Sequence, residues 1–129
     1  MKLVITTLLL FSSLNVFAQT FSTKSFDEIY RKAATGKVLL VDARSSSNWN
    51  EGHFSKAISL PVEQLAKISD EDLFRLIPKD KKVFTHCHLG VGAKAMQLAR
   101  FLKSKGYDVS AIKPGFQQLA PTGKYKIEK

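Results

Sequence analysis

The sequence of 129 residues contains a single cysteine, Cys87. One cysteine excludes an internal disulfide, so the fold must be held together by packing alone. Acidic residues are also few, because 11 Asp and Glu stand against 20 Lys and Arg and leave a net charge of +9. The lysines are spread along the chain without interleaved aromatic residues, which is typical of a solvated cationic surface. We therefore expect neither a disulfide scaffold nor a nucleic-acid partner.

Long hydrophobic runs are limited to one stretch, Leu3–Val16, which follows the positive start Met1-Lys2. The run is too short for a comfortable membrane span. It ends in Val16-Phe17-Ala18, which offers small residues at the two positions that a signal peptidase reads. The sequence therefore predicts a signal peptide over residues 1–18, and a single exported, periplasmic domain over 19–129 that makes no membrane contact after cleavage.

Helical and extended patterns alternate through the rest of the chain. Apolar runs at Val38–Val41 and Val83–Thr85 have the length and composition of parallel strands buried on both faces. We expect further strands at Ala57–Leu60 and Tyr107–Ile112. Helices are predicted from Ser25 to Gly36, in Val62–Ala66, in Asp70–Leu76, from the cysteine loop to Lys105, and after Phe116. Gly106 is expected to cap the helix that ends at Lys105. We also expect a turn or helix at Ser45–Asn50 and a loop at Glu51–Phe54. The fold class is therefore α/β, a small, mostly parallel sheet with helices on both faces.

The stretch Val83–Ala99, VFTHCHLGVGAKAMQLA, carries the chemistry. A strand ends in His86-Cys87, two glycines follow, and a helical stripe begins at Ala95. A strand, a glycine-rich loop and a helix N-terminus in succession form an anion cradle of backbone N–H groups. We expect both glycines, Gly90 and Gly92, to adopt positive φ and approach a ligand closely. A cysteine beside such a cradle is favoured as thiolate, the nucleophilic form.

Other interpretations of this loop remain open. Free cysteines are often small buried hydrophobic residues, although His86, His88 and Gly90 are not the neighbours that such a cysteine would have. His86 is expected to be a satisfied packing residue, whereas His88 enters the loop and can face a ligand. We expect no metal site, because adjacent ligands on a tight loop rarely close around one ion.

Three motifs then resemble the rhodanese family. VLLVDARSSSNWNEGHFSKAISLP is similar to its N-terminal signature, GYDVSAIKPGFQQL to its C-terminal signature, and Cys87-x-x-Gly90 to the opening of its active loop. The resemblance implies a sulfurtransferase that needs no cofactor. Its thiolate takes sulfane sulfur from a small anion such as thiosulfate and passes it to cyanide or a thiol. Because the chain has no second cysteine, an external thiol reductant is an expected partner.

The resemblance also implies a role for each matching residue. Cys87 is the nucleophile, and Asp42 with Arg44 forms a structural ion pair near the site. His53 is a hydrogen-bonded structural histidine, and His86 is a structural residue beside the nucleophile. The substrate-binding residues are His88, Leu89, Gly90, Val91, Gly92, Ala93, Lys94 and Arg44.

The loop departs from the family at one point. Many rhodaneses place an arginine two residues beyond the loop glycine, where this chain has Gly92, and Lys94 falls near that position only if the helix is aligned from its other end. Two alternatives follow. One is a non-catalytic module that binds an anion or a partner. The other is a cysteine-dependent phosphatase, because HCHLGVG resembles the phosphatase loop up to Ala93, where the phosphate-gripping arginine would stand.

Overall fold

The computed structural model describes residues Phe21–Lys129, so the signal-peptide prediction lies outside the described residues. Four parallel strands form the central sheet in the order β3-β1-β4-β5. They are β1 (Val38–Asp42), β3 (Ala57–Ser59), β4 (Lys82–His86) and β5 (Val109–Ala111). The predicted parallel sheet is confirmed, with its two longest strands at the centre.

Five α-helices precede, connect or follow these strands within the described residues. They are α1 (Phe26–Ala34), α2 (Ser46–Glu51), α3 (Asp70–Leu76), α4 (Ala93–Ser104) and α5 (Phe116–Leu119). Short 3₁₀ turns follow at Val62–Gln64 and Ala120–Thr122. Serine side chains cap α1, α2 and α3 by accepting a backbone N–H three residues on, as at Ser25 and Glu28. Within Phe21–Lys129, no helix is long and apolar enough to cross a bilayer.

The sheet is covered on both faces, as predicted. One hydrophobic cluster joins Val41 and Val83 to α4, and the other joins Leu40 and Phe84 to α1. Successive strand residues point to opposite faces, so each of these strands supplies both clusters. The helical stripe predicted for α4 is confirmed, because its buried residues are Ala95, Leu98, Ala99 and Leu102.

The structure adds a second, small sheet that the sequence did not suggest. β2 (His53–Phe54) pairs antiparallel with β6 (Ile127–Glu128) at the end of the chain. The segment Glu51–Phe54 is therefore not wholly a loop. Two-residue strands carry no hydrophobic period, so only the tertiary pairing defines them.

Several boundaries also differ from the sequence-based expectations. Val62–Ala66 forms only a 3₁₀ turn, and the last parallel strand is confined to Val109–Ala111. Helix α4 ends at Ser104 with Lys105 as its cap, and Gly106 follows with φ of +94°. The helix thus ends one residue earlier than predicted. Gly106 follows the cap residue in the left-handed conformation that glycine favours.

Candidate active site

The register of the sheet brings the two sequence motifs together. Asp42 at the end of β1 pairs with His86 at the end of β4, and the Ala43 N–H donates to the His86 carbonyl at 2.8 Å. Arg44 and Cys87 therefore leave the sheet at the same carboxyl edge. Open α/β sheets bind their ligands at this edge.

The predicted ion pair between Asp42 and Arg44 is confirmed. Arg44 Nη2 lies 2.8 Å from Asp42 Oδ2, and Arg44 Nε lies 3.0 Å from both carboxylate oxygens. The same Nη2 donates to the Gly52 carbonyl at 2.7 Å, and the guanidinium carbon lies 3.9 Å from the Phe116 ring centroid. Both charged side chains are at most 2% exposed. Protein partners therefore occupy the guanidinium and hold it in place.

Cys87 is buried at 4% exposure within the cluster that contains α4. Its Sγ lies 3.7 Å from the Leu89 carbonyl, to which the thiol donates. Among the described residues no backbone N–H donates to this sulfur, which differs from the expected amide-lined cradle. A thiol can donate to this carbonyl, so the contact gives the sulfur a protein partner inside the loop.

The loop amides are nevertheless left without protein acceptors. Over residues 88–95, only Gly92 donates its backbone N–H within the described chain, to the Leu89 carbonyl at 3.2 Å. The first amides of a helix have no intrahelical acceptor, and α4 begins directly after this loop. The loop therefore keeps several donors beside Cys87 that a bound anion can use.

The two loop glycines have different physical roles, which corrects the sequence interpretation. Gly92 has φ of +67°, as predicted, and a Cβ there would lie 2.6 Å from the Phe21 ring. Gly90 does not adopt positive φ. A Cβ at Gly90 would instead overlap the side-chain amide of Gln118. Close packing, and not a left-handed conformation, therefore disfavours a side chain at Gly90.

Helix α5 fixes the loop from behind. The Phe116 N–H donates to the Cys87 carbonyl at 2.8 Å, and the Gln117 N–H donates to the His88 carbonyl at 3.0 Å. A Cβ on Gly115 would overlap that same His88 carbonyl. The helix after Phe116 was predicted, but its contact with the cysteine loop was missed, because that contact pairs residues far apart in the chain.

A cavity of about 350 Å³ opens in front of Cys87. It brings together most of the predicted substrate-binding residues, and Asn48 is the one lining residue that sequence reasoning missed. The cavity is lined by Arg44, Asn48, Cys87, His88, Leu89, Val91, Ala93 and Lys94. Gly90 and Gly92 do not line it. Leu89 and Val91 are exposed at 55% and 68%, which makes the rim of the cavity apolar.

Lys94 is the one lysine on the cavity wall, and it forms an ion pair. Its Nζ lies 3.2 Å from Glu63 Oε1, and both side chains are about half exposed. A hydrogen bond from its own backbone, together with Lys94, holds the pKa of Glu63 below its ordinary value. An exposed pair of this kind is weak, so an anionic ligand can compete for the lysine.

His86 is buried, but it is not the satisfied packing residue that the sequence suggested. Neither ring nitrogen has a hydrogen-bond partner, although Nε2 lies 3.7 Å from Asp42 Oδ2. The ring packs against Phe54. Burial lowers the pKa of His86, and the nearby Asp42 carboxylate acts in the opposite direction.

The other two histidines separate into a structural residue and a cavity residue. His53 donates from Nδ1 to the Trp49 carbonyl at 3.0 Å and stacks on the Trp49 ring, which confirms a hydrogen-bonded histidine. His88 lines the cavity, and its buried Nδ1 has no partner. No group of three His, Cys, Asp or Glu within Phe21–Lys129 is arranged to hold a metal ion.

Comparison with known proteins gives the family. The model of the rhodanese-like domain matches residues 25–121. The chain belongs to the rhodanese-like domain family. This match covers both signatures and the cysteine loop between them.

Individual relatives are more distant. A probable molybdopterin-synthase adenylyltransferase of Porphyra purpurea is 29% identical over 89 residues, which are 69% of this chain and 22% of the relative. An HTH-type transcriptional regulator of Mycobacterium tuberculosis is 26% identical over 96 residues, 74% of this chain and 40% of the relative. The chain thus spans less than half the length of these curated relatives.

Among solved structures, the human single-domain sulfurtransferase TSTD1 superimposes with a TM-score of 0.64 at 18% identity. The match covers 81% of this chain and 96% of that one. At this identity the likeness shows the fold alone. The match thus spans most of both chains.

Proposed function

We propose that this protein is a sulfurtransferase that carries sulfane sulfur as a persulfide on Cys87. The observation that supports it most is that the only thiol of the chain lies on the wall of a cavity, in a loop whose amides are not used by the protein. Membership of the rhodanese-like family and the name of the human sulfurtransferase support the same activity. We also propose export to the periplasm, on the sequence of residues 1–18.

The proposed loading step moves one sulfur atom. The Cys87 thiolate attacks the sulfane sulfur of thiosulfate, the S–S bond to the sulfonate breaks, and sulfite leaves with the bonding electrons. The new persulfide anion needs donors. Loop amides without protein acceptors, such as those of Gly90 and Val91, are available for this purpose. Ionisation removes the thiol proton and with it the hydrogen bond to the Leu89 carbonyl.

His88 and Lys94 are the side chains that we propose as direct contributors. His88 places an unpartnered Nδ1 beside Cys87, and a protonated imidazole there would favour the thiolate. Lys94 lines the cavity wall, and it falls near the family's arginine position when the helix is aligned from its C-terminal end. Arg44 has a positioning role, because Asp42 and Gly52 already occupy its guanidinium.

The same observation disfavours a phosphatase. Phosphate transfer needs a bidentate guanidinium fork, and Arg44 is the one arginine on the cavity wall among the described residues. Its Nε and Nη2 already bind Asp42 and Gly52, so it has no free two-nitrogen fork for a phosphate. We expect no turnover of an aryl phosphate by the wild type, and none after Ala93→Arg.

The proposal is tested by sulfur transfer from thiosulfate to cyanide. The wild type should show activity that Cys87→Ser abolishes. Equal activity in both proteins would contradict the proposal. Alkylation against pH separates the enzyme from a binding module, because a thiol that titrates near the free value of about 8.5 and takes up no sulfur indicates binding only.

A further inference from the structure

A second cavity adjoins the one in front of Cys87. Its volume is about 420 Å³, and it shares Arg44, Asn48 and His88 with the first cavity. The two spaces therefore share a wall that includes His88, the residue after Cys87 in the chain.

The far wall of the second cavity is built by the end of the chain. Phe116, Ala120, Pro121 and Ile127 supply its apolar surface. Ile127 belongs to β6, which lies beyond residues 25–121 of the family match and is held on β2 by backbone pairing. Ser55 also donates to the Glu128 carboxylate at 3.0 Å. Ile127, the part of this wall beyond the matched region, is therefore held in place by contacts with residues inside that region.

The charged side chains on the two cavity walls differ in whether they are free to bind a ligand. Arg44 is already paired with Asp42, whereas Lys94, whose exposed pair with Glu63 is weak, lines only the first cavity. Glu51, in the second cavity, is the only acidic side chain on either wall, and within the described chain it forms no ion pair. The second cavity thus combines an apolar surface with one free carboxylate, which suits a cationic, partly apolar molecule and not an inorganic anion.

Polar groups at the junction are also unoccupied. The buried Nδ1 of His88 has no hydrogen-bond partner, and the side-chain amide of Asn48 makes no hydrogen bond within residues 21–129. Both residues line both cavities. The partly exposed Asn48 side chain can therefore contact a ligand whose body lies in the second cavity.

We propose that the second cavity is the acceptor subsite, and that it takes an organic thiol with an apolar chain and a cationic amine. This inference rests on the proposed sulfurtransferase function. In the transfer step the acceptor thiolate attacks the outer sulfur of the Cys87 persulfide and forms a new S–S bond. The bond between Sγ and the outer sulfur breaks, Cys87 leaves as thiolate, and the proton of the acceptor thiol passes to the outer sulfur, so the acceptor departs as a hydropersulfide.

The test uses protein loaded with sulfur by thiosulfate or inorganic polysulfide and freed of donor. Aminohexanethiol, mercaptohexanol and mercaptohexanoate are added separately, and intact mass gives the second-order rate of sulfur loss. We expect the amine to exceed the alcohol by roughly two- to fivefold, the range of an exposed ion pair, and the carboxylate to be slowest.

Glu51→Gln is the decisive variant, and Asp80→Asn is its control. Asp80 is an exposed acid that precedes β4, at the opposite edge of the sheet, and its substitution makes the same change in net charge. The amine-to-alcohol ratio should fall to about one in Glu51→Gln and keep its wild-type value in Asp80→Asn. Comparing ratios between proteins cancels the intrinsic reactivity of each thiol.

A second pair of variants tests the apolar wall. Ile127→Ala should reduce the preference for aminohexanethiol over cysteamine, by up to about fourfold for each methylene that loses its contact. Leu76→Ala is the control, because Leu76 is similarly exposed and lies outside both cavities. An amine-to-alcohol ratio of one in the wild type, or an equal fall in Asp80→Asn, would overturn the inference while sulfur loading stood. Failure of every donor to load Cys87 would overturn the proposed function and this inference with it.

Discussion

The segments that follow β1 and β4 leave the sheet side by side but satisfy their polar groups in opposite ways. After β1, the Asp42 carboxylate and the Arg44 guanidinium are buried, and their partners are protein atoms. After β4, several loop amides and His88 Nδ1 have no hydrogen-bond partner among residues 21–129, and the thiol has only the Leu89 carbonyl. Buried polar groups are normally paired, so unpaired ones mark the place prepared for a ligand. The first segment is framework and the second is the site.

Breaking the framework should have the largest effect on stability. Arg44→Met leaves the Asp42 carboxylate buried without its cation and removes the donor to Gly52. We expect a loss of about 3–5 kcal/mol in the free energy of unfolding, measured by denaturant titration. The double variant Asp42→Asn, Arg44→Met should lose less than Arg44→Met alone. Additive losses would show that the two groups are not coupled.

A change in the loop should cost less stability and more function. Gly92→Ala forces a side chain into φ of +67° and against the Phe21 ring. The strain predicts a loss of about 1–3 kcal/mol, together with slower sulfur loading because the loop must shift. Gly123→Ala is a matched control, since Gly123 has φ of +72° and open space around it. If both variants load sulfur equally slowly, the loop geometry is not the cause.

The pH dependence of stability should report on His86, the buried histidine at the end of β4. The pKa of His86 is lowered in the fold, so the folded protein keeps the ring neutral at every pH above that lowered pKa. As pH falls through 6.5 the unfolded chain takes up a proton that the folded chain does not. Stability therefore decreases by at most about 1.4 kcal/mol per pH unit, until the folded pKa is reached. The difference between wild type and His86→Leu, followed by denaturant midpoints from pH 7 to pH 5, isolates this contribution. A constant difference would contradict the buried neutral histidine.

The smallest effect on stability is expected at the rim of the site. Glu63→Gln removes the partner of Lys94 and should change stability by less than about 1 kcal/mol, because the pair is exposed. The released ammonium should bind thiosulfate better and raise kcat/KM for this donor by a few fold. Glu71→Gln, which breaks an exposed pair with Arg75 far from the loop, serves as the control. A rate unchanged in Glu63→Gln would show that Lys94 does not meet the donor.

The sequence could predict those parts of the fold that have local causes. The stripe on α4 follows from spacing, and the Ser25 cap follows from the position of Glu28. The ion pair of Asp42 and Arg44 followed from resemblance to the family and is confirmed. These features depend on neighbours in sequence or on a shared motif.

Features that depend on distant contacts could not be predicted. The pairing of β2 with β6 joins residues more than 70 positions apart, and neither strand is long enough to show a period. The unpaired ring of His86 and the clamp of α5 on the cysteine loop arise only when the sheet edge is assembled. The sequence therefore predicted the cysteine loop and the ion pair of Asp42 and Arg44, but it did not predict the second cavity.

The most direct test of the account is the intact mass of the protein after exposure to a sulfane sulfur donor and removal of the excess. The account predicts a gain of one sulfur atom in the wild type, none in Cys87→Ser, and loss of the added sulfur when a thiol acceptor is supplied. A wild-type mass that does not change with thiosulfate or polysulfide would contradict the assignment of Cys87 as a sulfur carrier.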